Sequence, residues 1–333
     1  MNLFLVTSPL QYVLALEAKA YFGCQDCLLL LVNQDKAQGI AQQDKLLDFS
    51  DWTHVIQIDR THRSFKVPQA IKKIKKIIQQ RTIERFFYAE YNSWRTKLMI
   101  KNLPIAQEIY FDDGTMTLRE YPKYIYSKAP FYRPRLIQDW LIRLQGCKPI
   151  GHLAPSEHLE LFTMFDLDPT THTVHKNTLE RLKAHYGHPN LYNTNAPIGY
   201  IGQGAIGDKY QKSIKQYVQE LEELTISAKH KILYFPHRTE RKEVREALER
   251  NENIIYHQSE YPLEIELIDK GIKLSGFVGT YSTVMFTCRL LYPTMPIYTV
   301  SDDYPDPVLR EELRRQFNAI NVKKIEGFEE LSC

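Results

Sequence analysis

Cysteine is scarce and odd in number. The chain holds five, with no framework spacing, so a disulfide scaffold is excluded and reduced thiols are expected. Cys24 and Cys27 form a lone Cys-x-x-Cys. A zinc site would want a second pair, and His54 and His62 are poorly spaced to complete one. His172 and His175 have no glutamate in a zinc-protease arrangement and read as surface histidines. Long apolar runs are missing too, so no membrane-spanning helix is expected. The first run, Asn2 to Thr7, is too short for a signal sequence and stops at Ser8-Pro9. These absences lead to the expectation of a cytoplasmic protein, at most peripheral at the inner face of a membrane. Charge of one sign is also lacking. A net charge of +3 gives a nucleic-acid partner no bulk support. No internal repeat or low-complexity segment is present.

What is there is an α/β pattern long enough for two domains, since 333 residues can build two cores. Leu3-Phe4-Leu5-Val6 reads as a buried first strand. Thr7 or Ser8 caps a helix that starts at Pro9 and buries Leu10, Val13, Leu14 and Ala18. Cys27 to Val32, Thr53 to Ile58 and Arg85 to Ala89 are further strands. Val67, Ile71, Ile74 and Ile77 fall at helical spacing between the last two. Strand and helix in alternation predict a doubly wound parallel sheet. Tyr121 to Arg135 mixes basic and aromatic residues. It reads as an irregular loop packed on the core, with an acceptor-binding or membrane-surface patch as the alternative. Ile137 to Leu144 looks helical.

Near residue 190 the composition turns loop-like, at His188-Pro189-Asn190 and Asn193-Thr194-Asn195. The domain boundary is placed there, giving domains 1–190 and 191–333. A second series follows: strands at Ile198 to Gly202, Lys231 to Phe235, Ile254 to Tyr256, Gly276 to Gly279 and Pro296 to Tyr298, with helices between. Two Rossmann-like halves facing each other across a cleft make the glycosyltransferase B (GT-B) architecture.

In such sheets ligands bind beyond the carboxyl ends of the strands. Glu108 to Phe111 is a strand that stops on Asp112-Asp113-Gly114. That carboxylate pair suits a general base, a metal site, or a turn and helix cap. In the second half, Pro236-His237-Arg238 ends a strand as a cationic, donor-rich point suited to a phosphate. Arg238 could equally pair with Glu240 or Glu243. Gly279 ends another strand, and Ser282-Thr283 open the helix after it. Free N–H groups and two hydroxyls there favour an anion, though plain capping by Ser282 gives the same sequence. Pro262 puts Glu264 in a first helical turn, where it can cap or accept from ribose hydroxyls.

Taken in order, the acidic pair with Gly114, a histidine beside proline, and Ser282-Thr283 resemble the bacterial sialyltransferases of glycosyltransferase families 38, 52 and 80. Thr7-Ser8-Pro9-Leu10-Gln11 and Ile201-Gly202-Gln203 also resemble family 52, the lipooligosaccharide sialyltransferases. The resemblance spans most of the chain. One departure is that Pro236 precedes His237, where the family has histidine first. The resemblance implies that Asp112 is the base on the acceptor hydroxyl and that Asp113 supports it. It implies that His237, Ser282 and Thr283 hold the donor phosphate and Glu264 the ribose. Gly202, Gln203, Pro236 and Arg238 would complete the donor side. The implied reaction is inverting and needs no metal or other cofactor. A sialic acid or related nonulosonic acid (pseudaminic, legionaminic or Kdo) moves from a CMP-linked donor to an oligosaccharide or glycolipid acceptor. A homodimer is compatible with it. Two other classes stay open: a metal-dependent sugar-nucleotide transferase with Asp112 and Asp113 as Mg²⁺ or Mn²⁺ ligands, and a non-catalytic protein closing on a small anion.

Overall fold

The computed structural model describes residues 1–187, 190–204, 206–208, 212–228, 230–237, 240–300, 306–326 and 330–331. Packing divides the chain into two compact units, Met1–Arg181 and Leu182–Cys333. The division falls earlier than the loop-like stretch near residue 190. The helix Glu180–Tyr186 runs across it, and its buried Leu182 already belongs to the second unit.

The N-terminal unit carries strands β1 (Asn2–Val6), β2 (Cys27–Val32), β3 (His54–Ile58), β4 (Ile83–Tyr88), β5 (Ile105–Phe111), β6 (Phe131–Tyr132), β7 (His152–Leu153), β8 (Leu159–Thr163) and β9 (Thr173–Lys176). Its helices are α1 (Pro9–Tyr21), α2 (Ala37–Leu46), α3 (Arg63–Ile78), α4 (Trp94–Asn102), α5 (Thr117–Glu120) and α6 (Leu136–Leu144), and α7 is Glu180–Tyr186. Seven strands form one parallel sheet in the order β3-β2-β1-β4-β5-β8-β9. β1 and β2 are buried along their whole length and almost wholly apolar because helices cover both sides, as parallel sheets require, whereas β5 is buried only from Glu108 to Phe111, its carboxyl-terminal half. Strand order reverses between β1 and β4, and this defines the switch point where ligands gather.

The C-terminal unit repeats the plan with β10 (Ile198–Ile201), β11 (Ile232–Phe235), β12 (Ile254–Tyr256), β13 (Gly276–Gly279), β14 (Ile297–Thr299) and β15 (Lys323–Lys324). Its helices are α8 (Ile214–Ser227), α9 (Lys242–Leu248), α10 (Leu263–Asp269), α11 (Thr283–Leu291) and α12 (Pro307–Ala319). The parallel order β12-β11-β10-β13-β14-β15 puts its switch point between β10 and β13. Tyr200, Tyr217 and Tyr234 pack in one cluster with Ile198, Leu221 and Leu224. Most of the aromatic surplus is therefore core.

Three expectations are corrected. Tyr121–Tyr126 is a π-helical turn following α5, not irregular, and it turns Tyr121 and Ile125 inward at helical spacing. β8 and β9 extend the sheet where no strand was expected. His175 is in β9 rather than loose on the surface, pinned 2.7 Å from Glu160 and 3.2 Å from the Tyr21 hydroxyl. Cys24, Cys27, Cys147 and Cys288 are free and buried. Among the described residues no helix is long and apolar enough to cross a membrane.

Candidate active site

The first set of polar groups stands on the carboxyl ends of the N-terminal sheet. Thr7 follows β1 and Glu90 follows β4, so both flank the switch point, and Thr7 Oγ1 donates to Glu90 Oε1 at 2.6 Å. Ser8 caps α1 by accepting from Gln11 N at 3.2 Å, which sets Gln11 in the first turn. Gln11 Oε1 accepts from Thr7 N at 2.8 Å, and this fixes its amide the other way round toward Asp113. Gln11 Nε2 then donates to Asp113 Oδ1 at 2.7 Å. Asp113 N donates to Thr117 Oγ1 at 3.1 Å, and Gly114 turns the chain at φ 60°, a conformation that favours glycine.

The two aspartates are therefore held differently. Asp112 is 1% exposed. Its Oδ1 accepts from Thr163 Oγ1 at 2.6 Å and its Oδ2 from Met164 N at 2.7 Å, both at the end of β8. Burial pushes its pKa up to about 7 against the pull of those donors. Asp113 is half-buried and is the more accessible of the pair. Nearby, Glu120 accepts from Tyr91 N at 2.8 Å and Asn92 N at 3.4 Å. Burial, with the charges of Asp113 and Glu90 added, raises Glu120 to about 7. Lys97 is buried over the Tyr91 ring at 3.5 Å, and desolvation lowers it to about 8 despite Glu108 and Glu120. Thr163, Met164, Glu90 and Glu120 were not anticipated from sequence. Their only signal was the short apolar run of β8 and two isolated acids, Glu90 after β4 and Glu120 at the end of α5.

The second set stands on the carboxyl ends of the C-terminal sheet. Gly202 and Gln203 follow β10, Pro236 and His237 follow β11, and Ser282 follows β13. Gln203 Nε2 donates to Thr280 Oγ1 at 2.8 Å, bridging this switch point as Thr7 and Glu90 bridge the other. His237 is exposed and its carbonyl accepts from Glu240 N at 2.8 Å. Ser282 caps α11 by accepting from Val284 N at 3.3 Å, and Thr283 is the first residue of the helix. Arg238 lies outside the described residues. Glu264 sits in the first turn of α10 as expected but is buried against α11, where Thr287 Oγ1 donates to it at 3.3 Å. The structure thus sets Gly202, Gln203, Pro236, His237, Ser282 and Thr283 at the carboxyl ends of one sheet and leaves Glu264 buried against α11.

Gly202 has no room for a side chain. A Cβ there would run into the Tyr234 hydroxyl and stand 3.0 Å from Phe235 O. Tyr234 is fixed by Glu240 and by the Tyr217 hydroxyl at 3.1 Å. Gly202→Ala is expected to lower stability by about 1–3 kcal/mol through overpacking. Thermal melting checks this, and an unchanged midpoint would mean that Tyr234 swings aside freely.

A separate depression of about 680 Å³ is lined by Gln107, Lys128, Ser156, His158 and His172. It lies at the amino-terminal ends of β5, β8 and β9, the opposite side of the sheet from Asp112, so its size does not make it the reaction site. Among the described residues, no three His, Cys, Asp or Glu side chains are grouped to hold a metal ion.

No family model matches the chain, and no curated protein sequence does. Solved structures do. An α/β-galactoside α-2,3-sialyltransferase from the luminous marine bacterium Photobacterium phosphoreum superposes with a TM-score of 0.54 at 12% identity, covering 99% of this chain and 98% of that one. A UDP-GlcNAc 2-epimerase from Methanocaldococcus jannaschii, solved with UDP-GlcNAc and UDP, superposes with a TM-score of 0.55 at 13% identity, covering 99% and 90%. The likeness spans both units, and the fold is GT-B: two Rossmann-like units, each with its own parallel sheet.

Proposed function

We propose that the protein is an inverting glycosyltransferase that moves a nonulosonic acid, sialic acid or a close relative, from a CMP-linked donor to a glycan hydroxyl. The observation that carries this reading is the strand-end acid pair, with Asp113 accessible and oriented by Gln11. A sugar hydroxyl holds its proton about as tightly as water, with a pKa of about 15. Attack therefore needs a positioned base. Asp112 was the expected base, but Asp113 has the access, so the proton is assigned to Asp113. Asp112 is the buried acid beside it, locked to Thr163 and Met164.

The hydroxyl oxygen attacks the anomeric carbon as the bond to the CMP phosphate oxygen breaks. The bonding pair leaves with CMP, and the hydroxyl proton goes to Asp113. CMP is a good leaving group because the second pKa of a phosphate monoester is about 6. His237, Ser282, Thr283 and the start of α11 offer donors to that phosphate, with Gln203 and Gly202 at the carboxyl end of the same sheet. One phosphate needs no metal to neutralise it on this reading, and the oxocarbenium-like transition state asks chiefly for positioning and charge.

The test is turnover of CMP-linked nonulosonic acids with galactoside and lipooligosaccharide acceptors, with and without EDTA. Acceptor-dependent CMP release that survives EDTA is the expected result. A thermal-shift panel should show CMP, not UDP, GDP or ADP, raising the melting point. The epimerase likeness supplies a second reading, in which a UDP-sugar is isomerised. Acceptor-free conversion of UDP-GlcNAc together with stabilisation by UDP would establish it and remove the first.

A further inference from the structure

Helix α6 carries two apolar faces but buries only one. Ile142 is fully buried. Gln138 Nε2 donates to Ser64 Oγ at 3.0 Å and Gln145 Nε2 to Ser64 O at 2.9 Å, so the buried side is fastened to the first turn of α3. Leu136, Ile137, Trp140 and Leu144 are exposed by 85%, 78%, 57% and 65%. At 3.6 residues per turn these four share an arc of about 100° and a length of about 12 Å. A lone exposed leucine is ordinary, whereas four large apolar side chains on one stripe are not.

The charge around the stripe is predominantly positive. At its start Arg135 is lowered by partial desolvation and then by the neighbouring charges of Arg133 and Arg63. At its end Lys72 and Lys75 act on Cys147, just past α6, while burial raises that thiol. Lys72 also lies within 4.0 Å of where a Cβ on Gly146 would stand. Arg143 and Lys148 are exposed on the same segment. Between Thr61 and Ile78 there is no Asp or Glu, and the α6 helix contains one acid, Asp139, which accepts from Arg135 N at 3.3 Å.

We propose that α6, flanked by the basic residues of α3 and of its own two ends, is the contact by which this protein lies on an anionic lipid surface. The apolar stripe enters the headgroup and acyl boundary. The tryptophan suits that depth, and the lysines and arginines meet the lipid phosphates. A symmetric pairing of this face with its copy would set the arginines and lysines of both chains against one another, with only Asp139 of each α6 to offset them. Charge complementarity therefore selects the membrane.

The experiment is co-sedimentation of the full chain with phosphatidylglycerol-containing vesicles and with pure phosphatidylcholine vesicles, at low and high salt. Binding to the anionic vesicles that weakens with salt is expected. The triple variant Leu136→Ser, Trp140→Ser, Leu144→Ser should weaken it about tenfold or more, and Lys72→Glu with Lys75→Glu should do so at low salt. Because these side chains are exposed, melting temperatures should stay near wild type. No binding to anionic vesicles, or binding unchanged by the triple variant, would overturn the proposal. So would a wild-type dimer that the triple variant returns to monomer, since the stripe would then be a seam between copies.

Discussion

Asp113→Asn is expected to lower the rate of transfer by about 10²–10⁴-fold while leaving the fold and CMP binding nearly unchanged. The substitution is isosteric. The asparagine oxygen can still accept from Gln11 Nε2, now at 2.7 Å from Asp113 Oδ1, and the backbone N–H still donates to Thr117. What is lost is the lone pair that takes the hydroxyl proton. The loss of one negative charge also relieves Glu120, whose carboxyl is raised by burial and then by Asp113 and Glu90. Melting should therefore be unchanged or slightly higher, which separates lost chemistry from lost structure. Initial rates of CMP release with acceptor present, set beside calorimetric binding of CMP, check both halves. Wild-type turnover in this variant would take the base role from Asp113. Parallel measurement of Asp112→Asn tells where it goes, because the reading here requires the buried acid to be the less sensitive of the two.

Much of the scaffold was legible because its signals are local. Leu3 to Val6 and Cys27 to Val32 are apolar throughout because helices cover both faces, and that composition is visible without coordinates. Ser8 before Pro9, Ser282 before Thr283 and Gly114 at positive φ are decided within a few residues, so caps and turns were readable. The carboxyl-end placement of Asp112, His237 and Ser282 followed from the strand ends. What was hidden depends on partners distant in sequence. Asp113 meets Gln11 across 102 positions and Asp112 meets Thr163 across 51. No local pattern says which of two adjacent aspartates is locked away. β8 escaped notice because Glu160 interrupts its apolar run, and that glutamate is explained only by His175 on the neighbouring strand. Glu264 was placed in the correct turn, but its burial comes from α11 packing over it, which a capping rule cannot supply. The boundary near residue 190 followed composition, whereas packing divides the chain between Arg181 and Leu182, inside a helix.

Asp112→Asn is expected to stabilise the protein at alkaline pH and to lose that advantage in acid. An ordinary aspartate in an unfolded chain titrates near 3.9. Burial lifts Asp112 to about 7 in the folded chain. Below about pH 4 both states hold the proton and the group contributes nothing. Between there and pH 7 the folded state holds a proton that the unfolded state has released. Stability therefore falls as pH rises, by about 4 kcal/mol at most once both states are ionised. Glu120, lifted to about 7 by burial and neighbouring carboxylates, adds a fall of the same sign. Asparagine removes the ionisation at position 112 and can keep both contacts. Its oxygen accepts from Met164 N, and its amide donates to Thr163 Oγ1, which already accepts from Phe165 N at 3.0 Å. Denaturant melts of wild type and variant at pH 4, 6 and 8 on the ~4 kcal/mol scale set by the shift measure the difference directly. The two curves should converge in acid and separate in favour of the variant above neutrality. Parallel curves across the whole range would mean that Asp112 is ionised at ordinary cost. It would then be no buried companion of Asp113 but an accessible carboxylate, and the assignment of the base would pass back to it.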